Sequence, residues 1–433
     1  MAGLGLSHAM RFGSNLIMTR LLAPEMFGIV AIATIVMVGL TMFSDMGLRQ
    51  NIVQSKNGES AVFLNTVWSV QILQGVLIWV LALAVSLLVA AAKYLGVTPA
   101  GSVYADPILP YVIAVLSVNA LIVSFESTKL AEASRSLLLH RVVQISLSSQ
   151  VMGLTVMLCW VYVDLSIWAL VSGGLFSASL RMLLSHIYLP GTSNRWHWDD
   201  AAFREIIRFG KWIFVSSILG FLVLNGDRLL LGLFVSPAVL GVYVIAYMLY
   251  YSVEQVLEKI MAAVAFPAFS EVVRERPGDL QRSYYRLHRA IAAFTYFCGG
   301  ALICSGQVLI ALLYDRRYAE AGWMLELLAF CLLTIPFRLA WQCFLALGVP
   351  KILTQTIAIQ LVTLFVLTPL GFQYFGLPGA LWGIVLSYYS ILPAMIYHMV
   401  KRGIFDWRRE MLVMPMVVLG LLVGKGFNLA TGY

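Results

Sequence analysis

The sequence predicts an all-α integral membrane protein of about 13 transmembrane helices, arranged as two pseudo-symmetric six-helix lobes with one additional helix. Three observations predict it. Of the 433 residues 61% are hydrophobic and 12% charged, with a mean hydropathy of +0.87, whereas a soluble domain is roughly 45 to 50% apolar and about 25% charged. Apolar runs such as Thr66 to Ala92 exceed a membrane thickness and lack the alternation of a transmembrane barrel strand. A Pro-x-x-x-Gly turn also recurs six helices apart. At about 22 residues per helix, such spans use about 286 residues and leave about 147 for ends and connections, too few for a soluble catalytic domain.

Apolar runs read against their polar breaks place the spans in order. The first six run from about Leu4 to Leu22, Phe27 to Phe43, Val62 to Ala92, Ile108 to Phe125, Val142 to Val163 and Leu165 to Leu189. These form an N-terminal lobe, residues 1–189. The polar stretch that follows, Pro190-Gly-Thr-Ser-Asn-Arg-Trp-His-Trp-Asp-Asp200, marks a linker over residues 190–205. Six more spans, Ile206 to Val235, Val239 to Phe266, Leu287 to Leu313, Trp323 to Leu347, Ile352 to Phe375 and Leu377 to Val400, form a second lobe, residues 206–400. Residues 401–433 add a last helix from about Met411 to Leu429.

The cations orient these spans. Nineteen of the 29 Lys and Arg residues, from Arg49 to Arg409, fall in loops on one side, and five, Arg20, Lys93, Arg316, Arg317 and Lys425, on the other. By the positive-inside rule the N-terminus and the linker face the cytoplasm and the C-terminus faces outward. The same rule accounts for the net charge of +8 without nucleic acid as a partner. Met1-Ala2-Gly3-Leu4 enters an apolar helix with no charged leader, so either helix 1 is short or the start lies within it. The five cysteines, Cys159, Cys298, Cys304, Cys331 and Cys343, sit in apolar stretches with no metal or redox spacing.

The repeat pairs Arg20-Leu-Leu-Ala-Pro24-Glu-Met-Phe-Gly28 with Arg228-Leu-Leu-Leu-Gly-Leu-Phe-Val-Ser-Pro237-Ala-Val-Leu-Gly241. Proline fixes φ where a helix restarts, and glycine lets neighbouring helices approach closely. An even offset of helices gives both lobes the same topology, related by an axis along the membrane normal. Proline and glycine are also common at membrane turns, which is the plainer account of so short a match.

Beyond the repeat, Gly13-Ser-Asn-Leu-Ile-Met-Thr-Arg20-Leu-Leu-Ala-Pro24-Glu-Met-Phe-Gly28 and Phe43-Ser-Asp45-Met-Gly47 resemble the opening of bacterial oligosaccharide flippases of the polysaccharide transporter family. Phe209-Gly-Lys-Trp212, Asp227-Arg228-Leu-Leu-Leu-Gly232, Phe266-Pro267-Ala-Phe-Ser270, Leu313-Tyr-Asp315-Arg-Arg-Tyr318 and Leu347-Gly348-Val-Pro350 follow in the same order. The resemblance covers essentially the whole chain. It implies the fold of the superfamily shared with lipid II flippases and multidrug antiporters, two six-helix lobes around a central cavity. It further implies movement of an undecaprenyl-pyrophosphate-linked oligosaccharide across the cytoplasmic membrane for O-antigen, capsule or exopolysaccharide assembly. Membrane lipids, a polysaccharide polymerase and assembly proteins are the partners it implies. No cofactor is expected. The chain departs from the pattern in its short first helix and in showing thirteen spans where many relatives have fourteen.

A cargo with a diphosphate needs fixed cations, and arginine suits it because its planar fork donates parallel hydrogen bonds and stays charged. Ionisable residues within spans are therefore the candidates. Arg11 lies nine residues before Arg20, roughly 13 Å deeper in the membrane, and either holds the diphosphate or snorkels to the surface. Arg338 lies roughly 15 Å from the turn at Gly348 and either binds substrate or forms an internal ion pair. Asn225, Asp227 and Arg228 form a group that either takes sugar hydroxyls or a coupling cation, or neutralises itself. Arg20 completes the substrate candidates, and Asp227, Glu254 and Glu258 are the candidates for ion coupling; the two glutamates, four apart on one helix face with Lys259 beside them and near the cytoplasmic end, either exchange protons or sodium ions or form a solvated structural cluster. His8 is weighed as a titratable neighbour of Arg11. Most tryptophans lie near span ends, where interfacial anchoring accounts for them more readily than sugar stacking, and the basic loop Arg274 to Arg289 reads as an orientation signal or a gathering point for pyrophosphate head groups.

No catalytic triad, metal-ligand spacing or Gly-rich phosphate loop is present, so the sequence reads as a transporter rather than an enzyme. A cation-coupled multidrug antiporter is the first rival, and it calls for a carboxylate-rich pocket rather than Arg11, Arg228 and Arg338. A polysaccharide polymerase or ligase is the second, and it calls for a large external loop, whereas the longest outer connection runs only from Lys93 to Pro107.

Overall fold

In the computed structural model the described residues are 2–44, 47–55, 57–136 and 138–432, with side chains described for all of these except 2–9, 43, 49, 50, 54, 139 and 208–216. The side chains of His8, Arg49, Arg208, Lys211 and Trp212 thus lie outside the described residues, as do Asp45 and Lys56 entirely.

Among the described residues all regular structure is helical. The helices are α1 (Ala2–Leu21), α2 (Pro24–Ser44), α3 (Leu48–Gln54), α4 (Ala61–Tyr94), α5 (Leu109–Ser124), α6 (Lys129–Arg135), α7 (Leu139–Val163), α8 (Trp168–Ile187) and α9 (Asp200–Phe234). They continue with α10 (Pro237–Ile260), α11 (Phe266–Glu275), α12 (Leu280–Leu313), α13 (Ala321–Leu332), α14 (Ile335–Ala346), α15 (Lys351–Tyr389), α16 (Leu392–Lys401), α17 (Trp407–Met411) and α18 (Pro415–Thr431). By length and apolarity, nine of the described helical stretches can cross a membrane, or ten if α5 and α6, bent by 59°, count as one span. The expected thirteen exceed this number. One cause is that Lys351–Lys401 is a single stretch by that measure, although Gly376, at φ 63° and ψ −149°, separates the two spans expected there. The protein is a multi-pass membrane protein.

Proline explains the other breaks. The span expected from Trp323 to Leu347 is two helices, because Pro336 lies in the first turn of α14 and has no N–H for the preceding turn. Pro393 opens α16 in the same way, and Pro267 follows the π-helical turn Met261–Ala265 that carries α10 into α11.

The chain divides into two compact units, Met1–Asn225 with Gly232–Gly241, and Gly226–Leu231 with Val242–Tyr433. In the first unit α4 packs along α5, α5 on α2 and α8, and α7 on α8. One face of α4 buries Leu64, Val67, Ile78 and Ala82 while Leu77, Val80, Leu87 and Leu88 on the other are exposed. Both faces are apolar because one meets protein and the other lipid. Hydroxyls that fall inside on α4 find backbone carbonyls: Thr66 donates to Val62 at 2.9 Å and Ser69 to Asn65 at 3.0 Å within the helix, and Ser86 donates to Pro110 of α5 at 2.7 Å.

Pro24 opens α2 and Pro237 opens α10, and the two Pro-x-x-x-Gly turns meet within the first unit. A Cβ on Gly28 would fall on the carbonyl oxygen of Pro237, and one on Gly241 on that of Pro24. Side-chain-free contact of this kind is what small residues provide in membranes. Gly28→Val is expected to cost about 1 to 3 kcal/mol through overpacking, read as a lower unfolding temperature of the purified protein. Gly426→Val, at a position open for 4 Å, is the control that should leave it unchanged.

In the second unit α12 packs along α13 and α18. Gly300, Gly420 and Gly424 face the backbone carbonyls of Val417, Phe297 and Ala301 across that seam, and the Asn428 amide donates to the Cys304 carbonyl at 2.7 Å.

Candidate functional site

A cavity of about 440 Å³ opens in the first unit between α2, α4, α5 and α8, with the α5–α6 connection and α6 closing one end. Its apolar wall is Met37, Val38, Met42 and Ile78, and its polar groups include Gln71, Gln74, Asn119, Glu126 and Arg181. Gln71 is fixed by the end of α5, whose last carbonyls have no partner within the helix. Its Nε2 donates to the carbonyls of Val123 at 3.3 Å, Ser124 at 3.0 Å and Glu126 at 3.0 Å. The Gln74 Nε2 donates to the Ser44 carbonyl at 2.6 Å. Arg181 Nε meets Glu126 Oε1 at 3.2 Å, the arginine partly exposed and the glutamate buried. The closed end is tied to the linker: Asn194 Oδ1 accepts from Ser127 Oγ at 2.6 Å and Thr128 N at 3.2 Å, and Lys129 Nζ donates to the His186 carbonyl at 2.9 Å.

Arg11 lines a different hollow. On α1 it borders a groove of about 170 Å³ with Ser14, Gln150, Gly174 and Ser177 of α1, α7 and α8. Its side chain is exposed and has no ion-pair partner among the described residues. Arg20 is exposed at the other end of α1. Asn225 is buried, and its Nδ2 donates to the Phe221 carbonyl of its own helix at 3.1 Å.

In the second unit the remaining candidates fall into two ion clusters. Asp227 Oδ1 lies 3.4 Å from Arg228 Nε, and Asp227 Oδ2 accepts from the Tyr243 hydroxyl at 2.6 Å. The Arg228 guanidinium also stands over the Tyr247 ring at 4.1 Å, so its charge is met by a carboxylate and a π-face together. One turn of α14 brings Arg338 to α10, where Nη1 lies 2.6 Å from Glu254 Oε1 and 3.1 Å from Glu258 Oε1. Glu254 is buried and Glu258 about one-third exposed, at 35% of its side chain. The Tyr388 ring lies 5.3 Å from the Arg338 guanidinium, while Nη2 is buried with no hydrogen-bond partner among the described residues. The structure thus joins Asp227 to Arg228, and Arg338 to both glutamates, and leaves Arg11 outside these pairs. Of the basic loop, Arg274 pairs with Glu275 at 3.3 Å and Arg289 Nε donates to the Tyr285 carbonyl at 3.3 Å. Among the described residues no three His, Cys, Asp or Glu side chains are placed to hold a metal ion.

Sequence reasoning missed Gln71, Gln74, Asn119, Glu126 and Arg181, as well as Tyr243 and Tyr247. The signal for the first two was present: carboxamides three apart share a face of an otherwise apolar helix, where polar side chains need a reason.

Residues 17–322, most of the chain, match the family described as polysaccharide biosynthesis protein. The chain belongs to that family. It is similar to the lipopolysaccharide biosynthesis protein WzxC of Escherichia coli (strain K12), 23% identical over 321 residues that cover 72% of this chain and 61% of the relative. The chain thus spans about three-fifths of that relative's length. Two solved structures share the fold of this family member. The lipid II flippase MurJ, in an inward closed conformation, superposes with TM-score 0.72 at 11% identity, covering 99% of this chain and 92% of that one. An inward-facing multidrug resistance MATE family transporter of the MOP superfamily superposes with TM-score 0.68 at 13% identity, covering 92% and 94%.

Proposed function

We propose that this chain is a flippase that moves an undecaprenyl-pyrophosphate-linked oligosaccharide across the cytoplasmic membrane by alternating access, for O-antigen, capsule or exopolysaccharide assembly. The observation that carries the reading is Arg11, an exposed guanidinium half-way along α1, the first span expected from the sequence, beside a groove and without an ion-pair partner among the described residues. Such a charge costs about 2.5 to 3.5 kcal/mol on insertion scales. An anionic ligand such as a diphosphate offsets that cost when it occupies the groove. The N-terminus and linker face the cytoplasm in this reading, so cargo loads from the side where Asn194 ties the linker to the cavity.

The Glu254, Glu258 and Arg338 cluster supports cation coupling. Two carboxylates against the one guanidinium of Arg338 leave one negative charge, and the partly exposed Glu258 is the member a proton or sodium ion reaches. Asp227 is matched by Arg228 and stores no such charge. Binding of a cation shifts the lobes only through its different affinity for their two arrangements.

The test is reconstitution of the full chain in liposomes with a fluorescent polyprenyl-diphosphate glycan. Cargo should reach the opposite leaflet without ATP, faster with a proton or sodium gradient. A strict requirement for ATP in that preparation, or movement no faster than in protein-free liposomes, would rule the flippase out.

A further inference from the structure

We infer that the cavity of the first unit binds the uncharged, hydroxyl-bearing part of a glycan through carboxamide oxygens, and not the diphosphate; this rests on the reading that the chain carries a lipid-linked oligosaccharide. The orientation of the two glutamines decides it. Backbone carbonyls only accept hydrogen bonds, so the atoms facing Val123, Ser124 and Glu126 from Gln71, and facing Ser44 from Gln74, are the amide nitrogens. Each Oε1 is thereby turned from those carbonyls, and no donor among the described residues meets either oxygen. The Asn119 amide on the same lining makes no hydrogen bond within the protein among the described residues.

Charge points the same way. Among the lining residues the ionised side chains are Arg181 and Glu126, which neutralise one another at 3.2 Å. A diphosphate or a sugar carboxylate placed there would find no uncompensated cation among the described lining residues and would face unpaired acceptor oxygens. Sugar hydroxyls donate to such oxygens and accept from the Asn119 amide. The C–H faces of a pyranose ring match the apolar side of the cavity, which carries Met37, Val38 and Ile78. Its volume, about 440 Å³, lies within the range of about 300 to 1,000 Å³ of small-molecule sites.

The full-length protein in lipid nanodiscs is tested by saturation-transfer NMR and competition with three probes: N-acetylchitotriose, which is neutral, trigalacturonate, which is anionic and of the same length, and inorganic diphosphate. The neutral trisaccharide should bind at least about tenfold more tightly than trigalacturonate. Asn119→Leu and Gln74→Met should each weaken it by about tenfold, the scale of one lost hydrogen bond to a buried acceptor or donor, and leave diphosphate binding unchanged. Asn119→Leu breaks no hydrogen bond among the described residues, so loss of folding does not confound it. Equal or tighter binding of trigalacturonate, unchanged trisaccharide binding in both variants, or no trisaccharide binding to the unaltered chain would each overturn the assignment. The flippase reading stands or falls separately on cargo movement in liposomes.

Discussion

Arg11→Ala is expected to reach the membrane at the abundance of the unaltered chain and to lose glycan export by about ten- to a hundred-fold, the worth of a charge-assisted hydrogen bond to a phosphate. Insertion should not suffer: with α1 read as a span, removing a guanidinium from its middle lowers the cost of placing it in lipid. The geometry makes the two effects separable. Arg11 is exposed on a groove and has no carboxylate to leave behind among the described residues, so its removal strands no buried charge. Arg11→Lys should keep part of the activity, retaining the charge and losing the planar fork. Export is measured as surface polymer in cells that lack the chromosomal copy, with membrane abundance followed by immunoblot. Equal export by Arg11→Ala and the unaltered chain at matched abundance would show that Arg11 only reaches for the membrane surface.

The opposite split is expected at Arg338. Arg338→Leu should destabilise the fold by about 3 to 5 kcal/mol, because it leaves Glu254 buried and Glu258 half-buried with no counter-charge. The readout is a collapse of membrane abundance and of the unfolding temperature in detergent. Combining Arg338→Leu with Glu254→Leu and Glu258→Gln should recover most of that loss, since an apolar replacement of a whole buried ion cluster is often neutral. In the recovered triple variant any residual transport should no longer respond to a cation gradient. Full abundance of the single Arg338→Leu variant would show that the cluster carries no structural weight.

How far the sequence carries is clearest on α4. Its apolar run from Val62 to Ala92 is visible in one dimension and became the helix Ala61–Tyr94. Gln71 is visible there too, but its role depends on Val123, Ser124 and Glu126, more than 50 residues away. No periodicity of one helix reports which turn of another it will meet. Arg338 shows the same limit. Its depth follows from the helical rise, while its two glutamates sit 80 and 84 residues before it on α10, with 338 − 258 = 80 and 338 − 254 = 84. The Pro-x-x-x-Gly turns were legible because proline and glycine act on their own backbone. That Gly28 and Gly241 would touch each other's turns was not. The carboxylates that meet Arg228 and Arg338 were on the page of the sequence, yet only packing selects which of two readings each arginine adopts.

The glycine seam between α12 and α18 has a consequence for how the protein is made. The ribosome completes α12 at Leu313 and reaches Pro415 only after the intervening residues, about 5 to 20 s later at typical synthesis rates. Throughout that interval the α12 backbone around Phe297 and Ala301, shaped to receive Gly420 and Gly424, has lipid as its neighbour instead of a helix. The nascent chain therefore lingers as a half-assembled bundle with one bare strip. A chain whose translation stops short of α18 keeps that strip open to lipid, with the carbonyls of Phe297 and Ala301 facing no glycine.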